Sequence, residues 1–156
     1  MRINSFVQDD KLLVIRANRA PGFILVSLIL ITLIAAVIPI LSLIYRGISG
    51  EGLHLGNFIL LFLFGFIDFF LIRITLWNYY GKEVYVLNSK TIEYYPDYNW
   101  FKGEKRELLL DGLNLEIIFE NESVGRLSIS NGNEVIDSVL ALSTPDLNQI
   151  IETWNI

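Results

Sequence analysis

The sequence predicts a membrane α-helical hairpin joined to a mainly-β domain, and three observations predict it. Two long apolar runs, residues 23–45 and 58–77, are almost free of charge. Most of the remaining chain alternates polar and apolar residues in short segments separated by turn formers. The whole composition, 53% hydrophobic and 19% charged over 156 residues with a mean hydropathy of +0.47, is too apolar for an ordinary soluble domain of this length. Setting the two runs aside leaves about 100 residues, enough for one compact domain.

The first element is a strand arm over residues 1–21. INSFV (3–7) and LLVIR (12–16) read as two strands around a turn at Gln8, Asp9 and Asp10. The two-helix hairpin follows over 22–78. At about 1.5 Å of rise per residue, a helix over 23–45 covers about 34 Å and one over 58–77 about 30 Å, each enough to cross a bilayer core. Lipid offers the backbone no hydrogen bonds, so both runs must be helical. Two such runs in so short a chain leave no protein large enough to bury them. The first run exceeds a signal-peptide core and follows a strand pair, which predicts that it stays in the mature protein.

Basic residues set the expected orientation. Arg2, Lys11, Arg16 and Arg19 precede the first run, Arg46 alone lies in the connection, and Lys82 and Lys90 follow the second, with Arg73 placed to snorkel the same way. This asymmetry predicts an inner-membrane protein with both termini in the cytoplasm and GISGEGLHLG (47–56) on the far side. Trp77, Tyr79 and Tyr80 suit an interfacial aromatic belt.

Asp68 falls near the middle of the second span, where an ionised carboxylate costs about 2.5–3.5 kcal/mol on insertion scales. It is expected to be neutral or paired and to face protein. In an antiparallel hairpin the matching depth on the first span is at Thr32, Ala35 and Ala36, which share one small-residue face. The structural expectation is that Asp68 packs there and hydrogen-bonds Thr32 or a backbone carbonyl. The functional expectations are docking of another subunit or a place on an ion path. Arg73 is turned about 140° away on the same helix and makes a poor partner. Pro39 is expected to kink the first span.

The β domain occupies 79–156. EVYVLN, KTIEYY, EKRELLL, LNLEIIFE, VGRLSIS and EVIDSVLAL read as six strands, with turns at Asn88-Ser89, Asp111-Gly112, Asn121-Glu122-Ser123 and Asn131-Gly132-Asn133. Leu113, Leu115, Ile117 and Phe119 share one face of a half-buried antiparallel strand. A helix over 145–154 closes the chain. Thr144 is the expected N-cap, Pro145 suits the first turn, and Leu147, Ile150, Ile151 and Trp154 form one apolar stripe. The strand arm is expected to join this sheet, because a double crossing returns the chain to the side it left.

This order of elements resembles the small bacterial two-span membrane proteins with a pleckstrin-homology-like (PH-like) domain. The residues carrying the likeness are Gly81-Lys82-Glu83, the stretch EKRELLLDGLNLEIIF and the ending LSTPDLNQIIETWNI. The resemblance implies a PH-like antiparallel barrel or sandwich with a C-terminal capping helix, held at the bacterial inner membrane. It implies no activity. Phosphoinositide binding does not carry over: the nearest basic cluster, Lys102, Lys105 and Arg106, is interleaved with Glu104 and Glu107. Residues 78–156 hold six Lys/Arg against thirteen Asp/Glu, a net charge of −7, so nucleic acid and specific anionic headgroups are not expected as ligands.

The chemistry the sequence offers is sparse. Without cysteine, thiolate zinc sites, disulfides and cysteine nucleophiles are excluded. The one histidine, His54, is expected on the far-side loop, away from most acids. No catalytic, cofactor or metal residues are therefore expected, and the chain is not expected to be an enzyme. The segment YYPDYNWFKGEKR (94–106) concentrates five aromatics at an expected hairpin tip. They serve either as cross-strand packing or as a contact loop for the membrane interface or a protein, anchored by Tyr98, Trp100 and Phe101. The expected function is a non-enzymatic, membrane-anchored interaction module, an accessory or assembly subunit whose partners are the lipid bilayer and a protein or second copy of itself. The alternative is a small oligomeric channel or pore-forming effector with Asp68 lining the lumen.

Overall fold

The computed structural model describes residues 4–9, 11–50, 52 and 54–154. Ile3 and Asp10, assigned above to the first strand and its turn, lie outside the described residues. The chain divides into two compact units, one formed by residues 1–19 with 80–156 and the other by residues 20–79.

The second unit is the helical one. Helix α1 runs Gly22–Ser49 and α2 runs Leu55–Tyr80. Both extend past the apolar runs that predict them. Helical geometry persists as long as caps permit, and α1 stops only at Gly50, whose φ of 72° is the left-handed conformation that ends a helix. The Ala20 N–H donates to the Asn78 carbonyl at 3.2 Å, which ties the start of α1 to the end of α2 and makes the pair antiparallel. Helix α1 is continuous through Pro39, and Pro39 and Ala35 are its buried residues. Most large side chains of both helices are exposed within the protein. Both helices are long and apolar enough to cross a membrane.

Among the described residues, the first unit contains nine strands and one helix. Strands β1 (Ser5–Asp9), β2 (Leu12–Arg16), β3 (Lys82–Leu87), β4 (Thr91–Asp97) and β5 (Arg106–Leu109) form one antiparallel sheet in sequence order. Strand β2 pairs with β3 from Leu12↔Val86 to Arg16↔Lys82, so two segments separated by the whole helical unit are neighbours in the sheet. Strands β6 (Asn114–Asn121), β7 (Val124–Ser130) and β8 (Val135–Asp137) form a second sheet, and β9 (Leu142–Ser143) also pairs with β7. Leu13, Ile15, Ile92, Leu108, Leu127, Ile129, Ile136 and Leu142 are fully buried, so both sheets bring apolar side chains to the interior.

Helix α3 (Thr144–Thr153) packs on β7 and β9 through Leu147 and Ile150, with Trp154 buried just after its end. Gly125 on β7 allows this approach: a methyl group there would stand 2.8 Å from Ile117 Cγ2, 2.9 Å from the Ile118 carbonyl oxygen and 3.3 Å from Leu147 Cδ1. The N-cap of α3 is Ser143 rather than Thr144. Pairing of Ser143 with Val124 holds it extended, and its hydroxyl accepts from the Asp146 N–H at 3.3 Å. The Thr144 N–H instead donates to the Ser123 carbonyl.

Two expected strands are shorter than their apolar patterns. EKRELLL forms only the four residues of β5, and EVIDSVLAL breaks into β8 and β9. The second break has a specific cause, a buried carboxyl group that claims the backbone of residues 139 and 140.

Candidate functional site

In the helical unit, Ala35 is buried while Thr32, Ala36 and Asp68 are half-buried. The Thr32 hydroxyl donates to the Leu28 carbonyl of its own helix at 2.8 Å. Asp68 Oδ1 is buried with no hydrogen-bond partner, so the bond that Asp68 was expected to make to Thr32 or a backbone carbonyl is not made through that oxygen. Asn57 Nδ2, near the other end of α2, is likewise buried and unpartnered. Phe58, Leu61, Phe62, Gly65 and Phe66 border an apolar notch at Gly65 on one face of α2.

The aromatic hairpin tip is a defined turn. The Tyr98 N–H donates to the Phe101 carbonyl at 3.0 Å, and the Asn99 N–H to Asp97 Oδ1 at 2.7 Å. Asn99 takes a φ of 72°, a conformation that Asn tolerates better than most residues. The Tyr98 and Phe101 rings stack at 4.6 Å and 13°, and Tyr98 is buried. Lys102 Nζ lies 4.5 Å from the centre of the Tyr95 ring. The Gly103 N–H donates to the Pro96 carbonyl at 2.7 Å. The three candidate contact residues therefore divide: Tyr98 is packed inward, Phe101 covers it, and Trp100 projects with 75% of its surface exposed.

The most highly organised polar cluster centres on Glu83, which is 0% exposed. The Tyr94 hydroxyl and the Val139 N–H donate to Oε1, at 3.0 and 2.8 Å. The Ser138 hydroxyl and the Leu140 N–H approach Oε2, at 2.6 and 3.2 Å. Ser138 Oγ also lies 2.7 Å from the Leu140 carbonyl, so its single proton serves two acceptors. Because these donors come from β4 and from the link between β8 and β9, Glu83 joins the first sheet to the second.

Two tyrosines extend the cluster. Tyr85 is the register partner of Tyr94, and their rings lie 5.0 Å apart. The Tyr85 hydroxyl is buried with no partner in hydrogen-bonding geometry. Burial pushes the Tyr85 phenol well above its ordinary pKa, helped by the negative field of Glu83 and opposed by the nearby Ser138 hydroxyl. Tyr94 is raised for the same first reason, then by the charge of Glu83 and by the hydrogen bond it donates there. Both phenols are held neutral, so the cluster offers a structural lock rather than a nucleophile.

Glu83 was named only within Gly81-Lys82-Glu83 and not as a site residue, yet one signal pointed to its burial. In KEVYVL, period-2 alternation puts Glu83 on the same side as Tyr85 and Leu87. Among the described residues, no group of three or more His, Asp and Glu side chains is placed to hold a metal ion. No protein-family model matches this sequence, no curated protein matches it, and no solved structure matches its fold.

Proposed function

We propose that the chain is a non-enzymatic, membrane-anchored interaction module, an accessory or assembly subunit of a bacterial inner-membrane complex, with both termini cytoplasmic and a PH-like β domain. The observation that carries the reading is the place of the apolar hairpin in the strand order. It is inserted between β2 and β3, which pair residue for residue, so the β unit is tethered to the hairpin by both connections. A single crossing would separate β2 from β3, whereas two crossings let them pair.

A partner surface is available on β6. This eight-residue strand pairs only with β7 among the described strands, which leaves its other edge open to a further strand. Ile118 and Phe119 on it are 45% and 60% exposed. To test the reading, a photo-crosslinking amino acid would replace Phe119 and, separately, the lipid-depth residue Ile67 in living cells. Discrete adducts with one protein, or with a second copy of the chain, are expected. A chain that forms none at either position and runs as a monomer in mild detergent ends the proposal.

Asp68 supports a second reading, a small pore built from oligomerised hairpins. A mid-span carboxyl oxygen without a partner is what a lumen or an intersubunit contact would satisfy. Ion flux from liposomes that disappears in Asp68→Ala is its expected signature. Flux equal to that of empty liposomes removes it.

A further inference from the structure

We propose that the hairpin tip of residues 98–101 is a lipid anchor that inserts Trp100 into the headgroup region of the same bilayer that holds the apolar hairpin. The proposal rests on the membrane reading of α1 and α2 and adds to it a second, independent contact made by the β unit.

The first support is the way the tip is built. The turn is fixed by the Tyr98–Phe101 hydrogen bond, by the bond from the Asn99 N–H to Asp97, and by the stacked rings beneath it. All of that order serves to hold one large amphipathic side chain outward, because Trp100 stays 75% exposed. A tryptophan that served only the hairpin would lie down across the neighbouring strand, as Lys102 does on Tyr95. An indole held rigidly in the open loses little freedom when it enters an interface, and its apolar body and polar N–H suit the boundary between headgroups and acyl chains.

The second support is where the tip lies within its own sheet. The β2–β3 ladder ends at Arg16↔Lys82, and the β3–β4 ladder ends at Lys82↔Asp97. The chain leaves for the apolar hairpin just after Arg16 and returns just before Lys82, so both connections depart from this end. Neighbouring strands are about 4.8 Å apart, so β2 and β4 lie within about 10 Å of each other across β3. Counting on from Asp97, Tyr98 is level with Gly81, the residue that follows α2, and Trp100 lies beyond it.

The third support is charge. The β unit is acidic overall, which disfavours approach to anionic lipid. Arg16, Lys82 and Lys102 are nevertheless gathered at this end. The acid among them, Asp97, is paired with Lys82 at 3.1 Å. A protein partner would not require the indole to lie at the end of the sheet where the chain joins its own membrane segment. A bilayer does.

The test uses the intact protein in nanodiscs of phosphatidylcholine and phosphatidylglycerol, prepared with and without bromine on the acyl chains. Subtracting the tryptophan emission of Trp100→Phe from that of the wild type isolates Trp100. The substitution is at an exposed position and leaves Trp77 and Trp154 in place. A blue-shifted difference spectrum that is lost in brominated lipid is expected. A red-shifted spectrum indifferent to bromine, while the remaining Trp77 emission is quenched, overturns the anchor and leaves the hairpin in its membrane. A blue-shifted but unquenched spectrum means that protein covers the indole, and it also overturns the proposal. If neither Trp100 nor Trp77 responds, the membrane reading itself fails and the anchor falls with it.

Discussion

Replacing Glu83 with glutamine changes one oxygen for one nitrogen and keeps the shape, yet the structure makes it a damaging substitution. Oε1 receives the Val139 N–H and Oε2 receives the Leu140 N–H. Whichever way the amide is turned, its NH2 faces a backbone donor. A buried donor left without an acceptor costs about 1–3 kcal/mol, and the remaining bonds lose the strength that a charged acceptor confers. Together these give a destabilisation of about 2–4 kcal/mol, a large share of the roughly 5–15 kcal/mol that holds a domain folded. Glu83→Leu removes both acceptors and should cost more, about 3–5 kcal/mol by analogy with breaking a buried ion pair. Urea unfolding of the protein in mild detergent, followed through the buried Trp154, measures the loss. Hydrogen exchange at the Val139 and Leu140 amides locates it. A glutamine variant within about 0.5 kcal/mol of the wild type, a range typical of exposed sites, would refute the argument that this carboxyl group joins the two sheets.

The other predictions concern the surroundings of that cluster. Tyr85→Phe removes a buried hydroxyl that has no partner, so it should leave stability unchanged or raise it by about 1 kcal/mol, whereas Tyr94→Phe should lower it; parallel urea midpoints check the contrast. Both phenols have pKa values raised by folding, so their contribution is complete below the unfolded value of about 10 and is lost as pH rises from there through the folded values. Stability should fall above about pH 10 by about 1.4 kcal/mol per pH unit for each tyrosine, and Tyr85→Phe should roughly halve the slope from the pair. Gly125→Ala drives a methyl group against Ile117, the Ile118 carbonyl and Leu147, and should destabilise by about 1–3 kcal/mol in thermal unfolding, with α3 losing exchange protection first.

What the sequence disclosed depends on how far apart the cooperating residues lie. The two apolar runs are legible because a helix satisfies its backbone within its own segment, so length and composition alone specify it. The apolar stripe of α3, with Trp154 after it, is legible for a similar reason, since its pattern is complete within about ten residues. The limits of EVIDSVLAL were not legible. By composition the segment is one continuous strand, and it breaks because Glu83, more than fifty positions earlier, takes the N–H groups of Val139 and Leu140. The helix cap moved from Thr144 to Ser143 because β9 pairing holds Ser143 extended.

At the candidate sites the division follows the same logic. The aromatic tip was visible as a cluster, but only folding decided that Tyr98 turns inward while Trp100 projects. Asp68 was visible as a charge in an apolar run, but only the structure left its Oδ1 without a partner. Glu83 resembled the exposed acids Glu116 and Glu120 until four donors from distant parts of the chain converged on it. Local pattern determines which elements form, because their hydrogen bonds close within a few residues. Tertiary structure decides which polar groups are buried and paired, because desolvation and pairing require atoms that the sequence holds far apart.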